Sequence, residues 1–251
     1  MSHPIIALWS HPRSMSTAFE RIMRARGDFE CLHEPFMYDY YINRSTKEMP
    51  HFNALDEHPK RYDEIRTMIL RKAENGPVFF KDMSYYVVPH IFDDEAFFAR
   101  VTHSFLIRCP KASILSYAKL DPQMLLDEIG LEAQSRHADI VMARTGKPPV
   151  VVRSESVQAD PEGQLRKYWQ ALGLADKPQA LNWEDPAPED WQQVQGWHQD
   201  VMASRTIRPI TPEQQARIEQ EFVKLTETEP RFGEYFAHHK PFYLKLLQFA
   251  L

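Results

Sequence analysis

Short, continuous apolar runs recur along the chain, and stretches with helical character separate each run from the next. Such a run is typical of a strand that is buried on both faces of a parallel sheet. The runs span Pro4–Trp9, Phe29–His33, Val78–Phe80, Ser104–Ile107 and Val150–Val152. Because strands that alternate with helices form right-handed crossovers, the sequence predicts an α/β three-layer sandwich with a mostly parallel central sheet of about five strands.

Helices are expected between and after these strands. Ser14–Arg26 begins with residues that can cap a helix or contact an anion, and Gly27 is a stop signal. Helices are also predicted at Glu57–Glu74, Asp160–Leu172, Pro212–Glu227 and Pro241–Leu251. Met37–Asn53 is expected to be a loop or short helices near a pocket, and Lys177–Trp191 irregular structure. With no repeat or linker, residues 1–251 are predicted to form one domain.

Charge and cysteine content exclude several classes of protein. A net charge of −5 and a pI near 6.1 argue against general nucleic-acid binding, which needs a basic face. Cys31 and Cys109 lie far apart within apolar runs, which predicts buried thiols rather than a disulfide or a zinc site. No window approaches the roughly 18 apolar residues of a membrane span, so no membrane span is predicted and a cytoplasmic location is the simplest expectation.

The first predicted strand leads directly into a polar loop at the start of a helix. Backbone N–H groups and the helix dipole converge in such a loop, which therefore suits an anion. Within Trp9–Thr17, the segment Pro12-Arg13-Ser14-Met15-Ser16-Thr17 adds a guanidinium group and three hydroxyl groups. It lacks the glycines and lysine of a nucleoside triphosphate loop, which weakens a kinase or ATPase interpretation. The alternative interpretation is an N-cap cluster beside a surface arginine.

A second polar cluster follows the fourth predicted strand. Ile107–Tyr117 carries Arg108 at the end of the strand and Ser116 eight residues later, in the next predicted helix. An arginine and a serine placed in this way can face the same anion if the loop between them folds back.

Together the two clusters resemble the sulfotransferase family, which has a P-loop NTPase-like fold and uses 3′-phosphoadenosine-5′-phosphosulfate as donor. The first loop is similar to a P-R-S-x-S-T form that grips the 5′-phosphosulfate, and Arg108 with Ser116 matches the pattern that binds the 3′-phosphate. Arg153–Val157 and Asp160–Leu174 resemble a later strand end and helix of the family. The resemblance covers about residues 4–174. It implies in-line transfer of a sulfuryl group, without a metal, to a hydroxyl or amine of a small-molecule acceptor.

The resemblance also suggests catalytic residues at the strand ends. Arg13 is expected to stabilise the leaving group. Lys81 is similar to a lysine that lies beside the transferring sulfuryl group, and its alternative role is an ion pair with Asp82. Glu34 is the first candidate for the base that takes the acceptor proton, and His33 is the second, because the ordinary pKa of histidine suits a base at neutral pH. Either of the two side chains could equally be structural.

Two departures from the family pattern leave roles open. Cytosolic members carry a histidine two residues after the third-strand lysine, but Met83 holds that position here. A basic R-K-G motif near the C-terminus is missing, and Arg205 and Arg208 are candidates to replace it. The alternative functions are a small-molecule kinase or other P-loop nucleotide enzyme, for which Asp82 is the available strand-end aspartate, and a nucleotide-binding homologue without turnover.

Histidines and aromatic residues complete the candidates. His11 is expected to be solvated or to contact sulfate, and His103 to be structural. His238 and His239 lack companions at ligand spacing, so no metal site is predicted. Several aromatic residues are expected to line an acceptor pocket or to form plain core: Tyr38, Tyr40, Tyr41, Phe52, Tyr85 and Tyr86. Nothing in the sequence favours a particular acceptor.

Overall fold

A computed structural model describes residues 2–88, 90–183, 188–194, 196–197, 202 and 204–251. It contains a five-stranded sheet whose strands are β1 Ile5–Ser10, β2 Glu30–His33, β3 Val78–Met83, β4 Val101–Ile107 and β5 Val150–Arg153. The order across the sheet is β2-β3-β1-β4-β5, and every neighbouring pair is parallel. The predicted α/β class and parallel sheet are confirmed.

Helices connect the strands and cover the sheet. They are α1 Ser16–Ala25, α2 Tyr62–Asn75, α3 Ser84–Val87, α4 His90–Asp93, α5 Glu95–Arg100, α6 Pro110–Ala118, α7 Leu131–Thr145, α8 Ser154–Ala159, α9 Pro161–Ala171, α10 Pro212–Thr228 and α11 Arg231–Leu247. Short 3-10 segments lie at Asp127–Ile129, Pro178–Leu181 and Glu189–Val194, and a π-helical turn lies at Asp39–Asn43. None of the described helices is long and apolar enough to cross a bilayer.

The central strand β1 contributes to both layers of the core, because successive side chains of a strand point to opposite faces. Ile5, Ala7 and Trp9 pack into a cluster that includes residues of α2, α7 and α11. Ile6 and Leu8 pack into a second cluster with residues of α1 and α9. The sheet is therefore the middle layer of a three-layer sandwich, as predicted.

The boundaries of β3 and of the last helix differ clearly from the prediction. β3 continues beyond Phe80 to Met83, because the charged residues Lys81 and Asp82 at its end are hydrogen-bonded inside the protein. The last helix begins at Arg231 and carries Pro241 in its interior. Its buried side chains extend on both sides of the proline, so packing outweighs the hydrogen bond that proline cannot donate. Within the predicted irregular stretch Lys177–Trp191, residues 184–187 lie outside the described part of the chain.

Candidate active site

The sequence motifs converge at the carboxyl ends of the strands. β1 lies between β3 and β4, and ligands of open parallel sheets bind at such a switch point. A cavity of about 390 Å³ opens at this place. Its lining includes most of the residues predicted to bind the donor, namely Pro12, Arg13, Met15, Ser16, Thr17, Arg108 and Ser116. Ser14 lies behind this lining, where its carbonyl accepts a hydrogen bond from Ser154 Oγ at 2.5 Å.

The loop after β1 has an unusual backbone. Arg13 and Met15 have φ values of 61° and 71°, in the left-handed region that residues with a Cβ atom adopt rarely. Helix α1 then begins at Ser16, and no described side chain caps it. The first-turn N–H groups of a helix have no partner within it, and the first turn of α1 lies at the cavity lining. Arg13 is half-buried, so an N-cap cluster beside a surface arginine does not describe this loop.

Direct hydrogen bonds join the two predicted anion motifs. Arg13 Nε donates to Ser116 Oγ at 2.9 Å, and Arg108 Nη1 donates to the Arg13 carbonyl at 2.7 Å. From α7, Gln134 Nε2 donates to the carbonyls at the ends of β1 and β4, both at 2.9 Å. Two guanidinium groups and a serine hydroxyl are thereby collected on one wall of the cavity. Such groups are suited to bind phosphate or sulfate oxygens.

His11 supports this wall from inside the protein. It is fully buried, so the expectation of a solvated loop histidine is wrong. Its Nε2 accepts a hydrogen bond from the Arg108 backbone N–H at 3.0 Å. Burial, and then the Arg108 guanidinium, lower the pKa of His11 to about 3. The neutral ring therefore ties the loop after β1 to the end of β4.

Glu34 and Lys81 form an ion pair at the inner end of the cavity. Glu34 lines the cavity and has a left-handed φ of 43°, and its Oε1 accepts a hydrogen bond from Lys81 Nζ. Lys81 is fully buried. The alternative role of Lys81, an ion pair with Asp82, is not formed, because neighbouring side chains of a strand point to opposite faces and Lys81 pairs with Glu34. Asp82 accepts instead from the backbone N–H groups of Phe36 at 2.8 Å and Met83 at 2.9 Å.

His33, at the end of β2, lies behind Glu34. Its Nδ1 is 2.6 Å from Glu20 Oε2, and its Nε2 is 3.9 Å from Glu34 Oε1. Burial, and then the Lys81 ammonium, lower the pKa of His33 well below its ordinary value. The two predicted bases are therefore neighbours, and it is Glu34 that contributes to the cavity lining.

Tyrosine and methionine side chains form the wall around Glu34. Of the aromatic residues predicted near a pocket, Tyr41, Tyr85 and Tyr86 line the cavity, whereas Tyr38 and Tyr40 belong to the core beside it. The rest of this wall includes Met49, Met83 and Tyr117. The cavity thus has a cationic, hydroxyl-bearing side and an aromatic side that contains the carboxylate.

Helix α8 and the C-terminal region contribute further groups to the cavity. Arg13 Nη1 donates to the Trp197 carbonyl at 2.6 Å, and Trp197, Gln158 and Arg208 line the cavity. A second cavity of about 520 Å³ shares Arg13 and Arg208 with the first and includes Lys119 in its lining. Arg208 is one of the two candidates to replace the missing basic motif. No recognisable spacing in the sequence predicts that Trp197 or Gln158 lies at the cavity.

One family model covers most of the chain. A family model described as a sulfotransferase domain matches residues 4–213. The sulfotransferase domain of the olefin synthase from Synechococcus PCC 7002 has a similar structure, with a TM-score of 0.59 and 18% sequence identity, covering 91% of this chain and 95% of that domain. At this identity, the structural similarity shows a shared fold.

Two curated relatives come from Arabidopsis thaliana. Branched-chain-amino-acid aminotransferase-like proteins 1 and 2 are 29% and 27% identical over 221 and 204 residues, or 81% and 80% of this chain. The matches cover 37% and 35% of those proteins, so the chain spans about a third of the length of these relatives.

Proposed function

Because the chain belongs to the sulfotransferase family, we propose that it moves a sulfuryl group from 3′-phosphoadenosine-5′-phosphosulfate to a hydroxyl or amine of a small-molecule acceptor. The observation that carries the proposal is the contact between the two anion motifs, in which Arg13 bonds to Ser116 and Arg108 bonds to the Arg13 carbonyl. The donor carries one phosphate at the 3′ position and a phosphosulfate at the 5′ position of its ribose. Its binding therefore needs cations and hydroxyls at two places.

In the proposed complex, the loop after β1 holds the phosphosulfate end of the donor. Arg13, Ser16 and Thr17 line the cavity beside the N-terminus of α1, where the helix dipole favours negative charge. Arg108 and Ser116 hold the 3′-phosphate. Burial lowers the pKa of the Arg108 guanidinium, yet arginine stays charged in proteins, and a poorly hydrated cation binds an anion more strongly.

The transfer step uses groups on the two sides of the cavity. The acceptor oxygen or nitrogen attacks sulfur in line, the bond from sulfur to the bridging oxygen breaks, and its electron pair leaves with adenosine 3′,5′-bisphosphate. Arg13 stabilises the charge that develops on the departing phosphate. Glu34 takes the acceptor proton, and Lys81, hydrogen-bonded to Glu34, holds that carboxylate in position before the reaction.

The surroundings of Asp82 favour this proposal over a kinase. A kinase uses carboxylate oxygens to hold Mg²⁺ on its nucleotide. Both oxygens of Asp82 already accept backbone hydrogen bonds, from Phe36 and from Met83. Moving this carboxylate to a metal would leave two buried N–H groups without acceptors, which costs about 1–3 kcal/mol for each group.

Calorimetry with adenosine 3′,5′-bisphosphate tests the donor site. The wild-type chain is expected to bind it, and Arg108→Ala is expected to weaken binding roughly tenfold to a hundredfold, because a hydrogen bond from a charged group to phosphate is lost. Arg166→Ala is the matched control, since Arg166 forms exposed ion pairs with Glu162 and Asp176. Wild-type binding with unchanged affinity in Arg108→Ala would show that the 3′-phosphate assignment is wrong.

A transfer assay with labelled donor and a broad panel of alcohols, phenols and amines tests catalysis itself. Transfer of the label to at least one acceptor is expected. Tight binding of the bisphosphate without transfer to any acceptor would instead identify a homologue that has lost turnover. Absence of bisphosphate binding at millimolar concentration would count against the proposed donor altogether.

A further inference from the structure

A buried carboxylate outside the cavity lining contacts His33, the residue next to the predicted base Glu34. Glu20, on the second turn of α1, is fully buried. Its Oε1 accepts hydrogen bonds from Arg24 Nε at 2.8 Å and Trp191 Nε1 at 2.9 Å. Its Oε2 lies 2.6 Å from Nδ1 of His33. Each oxygen of this carboxylate therefore has a defined partner.

The contacts of Glu20 define its charge. Arg24 forms an ion pair with Glu20 at 2.7 Å and a second one with Asp190 at 2.5 Å. As the carboxylate partner of the Arg24 guanidinium, Glu20 accepts from Arg24 and Trp191 through Oε1 and faces His33 with Oε2. An ionised Glu20 can only accept, so Nδ1 of His33 carries the hydrogen of that contact.

This assignment determines which side of the imidazole faces the active site. In a neutral ring that is protonated on Nδ1, Nε2 carries the lone pair. Nε2 lies 3.9 Å from Glu34 Oε1, so a shift of about 1 Å brings the two atoms to hydrogen-bond distance. Among the described residues, the Lys81 ammonium and the Arg24 guanidinium also act on the charge of this ring.

We infer that Glu20 is a positioning residue, which holds His33 so that Nε2 takes from Glu34 the proton that Glu34 removed from the acceptor. The inference rests on the proposed sulfuryl transfer. The electron pair of the acceptor O–H or N–H bond forms the new bond to sulfur, while the proton passes to Glu34 and then to Nε2. The resulting imidazolium is neutralised by Glu20, and Glu34 is restored as the partner of Lys81.

Kinetics of Glu20→Gln test this role. Glutamine keeps the shape of the side chain but cannot neutralise an imidazolium, so kcat is expected to fall by at least about tenfold, as part of the 10²–10⁴-fold that general base catalysis supplies. The donor KM and the affinity for adenosine 3′,5′-bisphosphate are expected to stay within about twofold. Asp190→Asn is the matched control, because Asp190 is the second carboxylate that pairs with Arg24. An unchanged kcat in Glu20→Gln would overturn the inference.

Nuclear magnetic resonance of ¹⁵N-histidine-labelled wild-type protein tests the arrangement without a variant of Glu20. The His33 signal, assigned by its loss in His33→Asn, is expected to report a neutral ring protonated on Nδ1. A ring protonated on Nε2 would overturn the inference, even if Glu20→Gln does not fold. Failure of the native chain to transfer sulfate would instead count against the proposed function, because the tautomer of His33 is measured independently of turnover.

Discussion

Glu34→Gln is expected to lower kcat by about 10²–10⁴-fold, the contribution of a general base, while the affinity for adenosine 3′,5′-bisphosphate changes by less than about threefold. Glutamine can still accept the hydrogen bond from Lys81 through its carbonyl oxygen, but it cannot take the acceptor proton. Single-turnover transfer assays and calorimetry separate these two quantities.

Glu30→Gln is the matched control for this experiment. Glu30 is on β2, the strand that ends just before Glu34, but it is exposed and pairs with Lys72, so kcat should stay within about twofold of wild type. If Glu34→Gln turned over normally, the proton would have to leave by another route. If it lost turnover and bisphosphate affinity in parallel, Glu34 would belong to the donor site rather than to the chemical step.

Acidification is expected to destabilise the fold strongly, because several histidines are buried as neutral rings. Burial lowers the pKa of His11 to about 3 and that of His103 to about 4, and it lowers the pKa values of His33 and His137 well below the ordinary value. A lowered pKa in the folded state means that the unfolded chain binds more protons as the pH falls below about 6.5. The stability that these neutral rings contribute is therefore fully present above about pH 6.5 and is lost as the pH falls towards about 4.

The size of this effect follows from the number of protons. Each of these histidines lowers the free energy of unfolding by up to about 1.4 kcal/mol for each pH unit of acidification. Burial raises the pKa of Asp82, which acts with the opposite sign, so the free energy of unfolding is expected to fall by roughly 3–5 kcal/mol between pH 7 and pH 5.5. Domains of ordinary stability have a free energy of unfolding of only about 5–15 kcal/mol, so this decrease is a large part of the total.

Urea unfolding at several pH values measures this slope directly. His137→Phe removes one of the titrating rings from an aromatic environment that includes Trp9 and Phe98, and it should reduce the slope by up to about 1.4 kcal/mol per pH unit. His3→Gln, at an exposed position, should leave the slope unchanged. A wild-type stability that does not vary between pH 7 and pH 5.5 would contradict the account of these buried rings.

The strands and the fold class were predicted well from the sequence, because they depend on local hydrophobic patterns. Apolar runs identified all five described strands, and the family resemblance is confirmed by the match over residues 4–213. Errors arose where tertiary contacts override a local signal. Pro241 suggested a helix start, yet it lies inside α11, and Lys81 and Asp82 suggested the end of a strand that in fact includes both.

The site was harder to predict, because its partners are distant in the sequence. The motifs placed Arg13, Glu34 and Arg108 near strand ends and Ser116 in the helix after β4, and the structure brings all four to one cavity. Nothing in the local sequence around Glu20 indicates that its side chain meets His33 on one side and Trp191 on the other. The burial of His11 was missed for the same reason, since its partner is the backbone of Arg108.

A crystal structure with adenosine 3′,5′-bisphosphate bound tests the central claim most directly. The account predicts the 5′-phosphate at the loop after β1, within hydrogen-bond distance of Arg13 and the first turn of α1, and the 3′-phosphate at Arg108 and Ser116. Glu34 should face the open position beyond the 5′-phosphate. A bisphosphate bound elsewhere, or bound here with its two phosphates exchanged, would contradict the account.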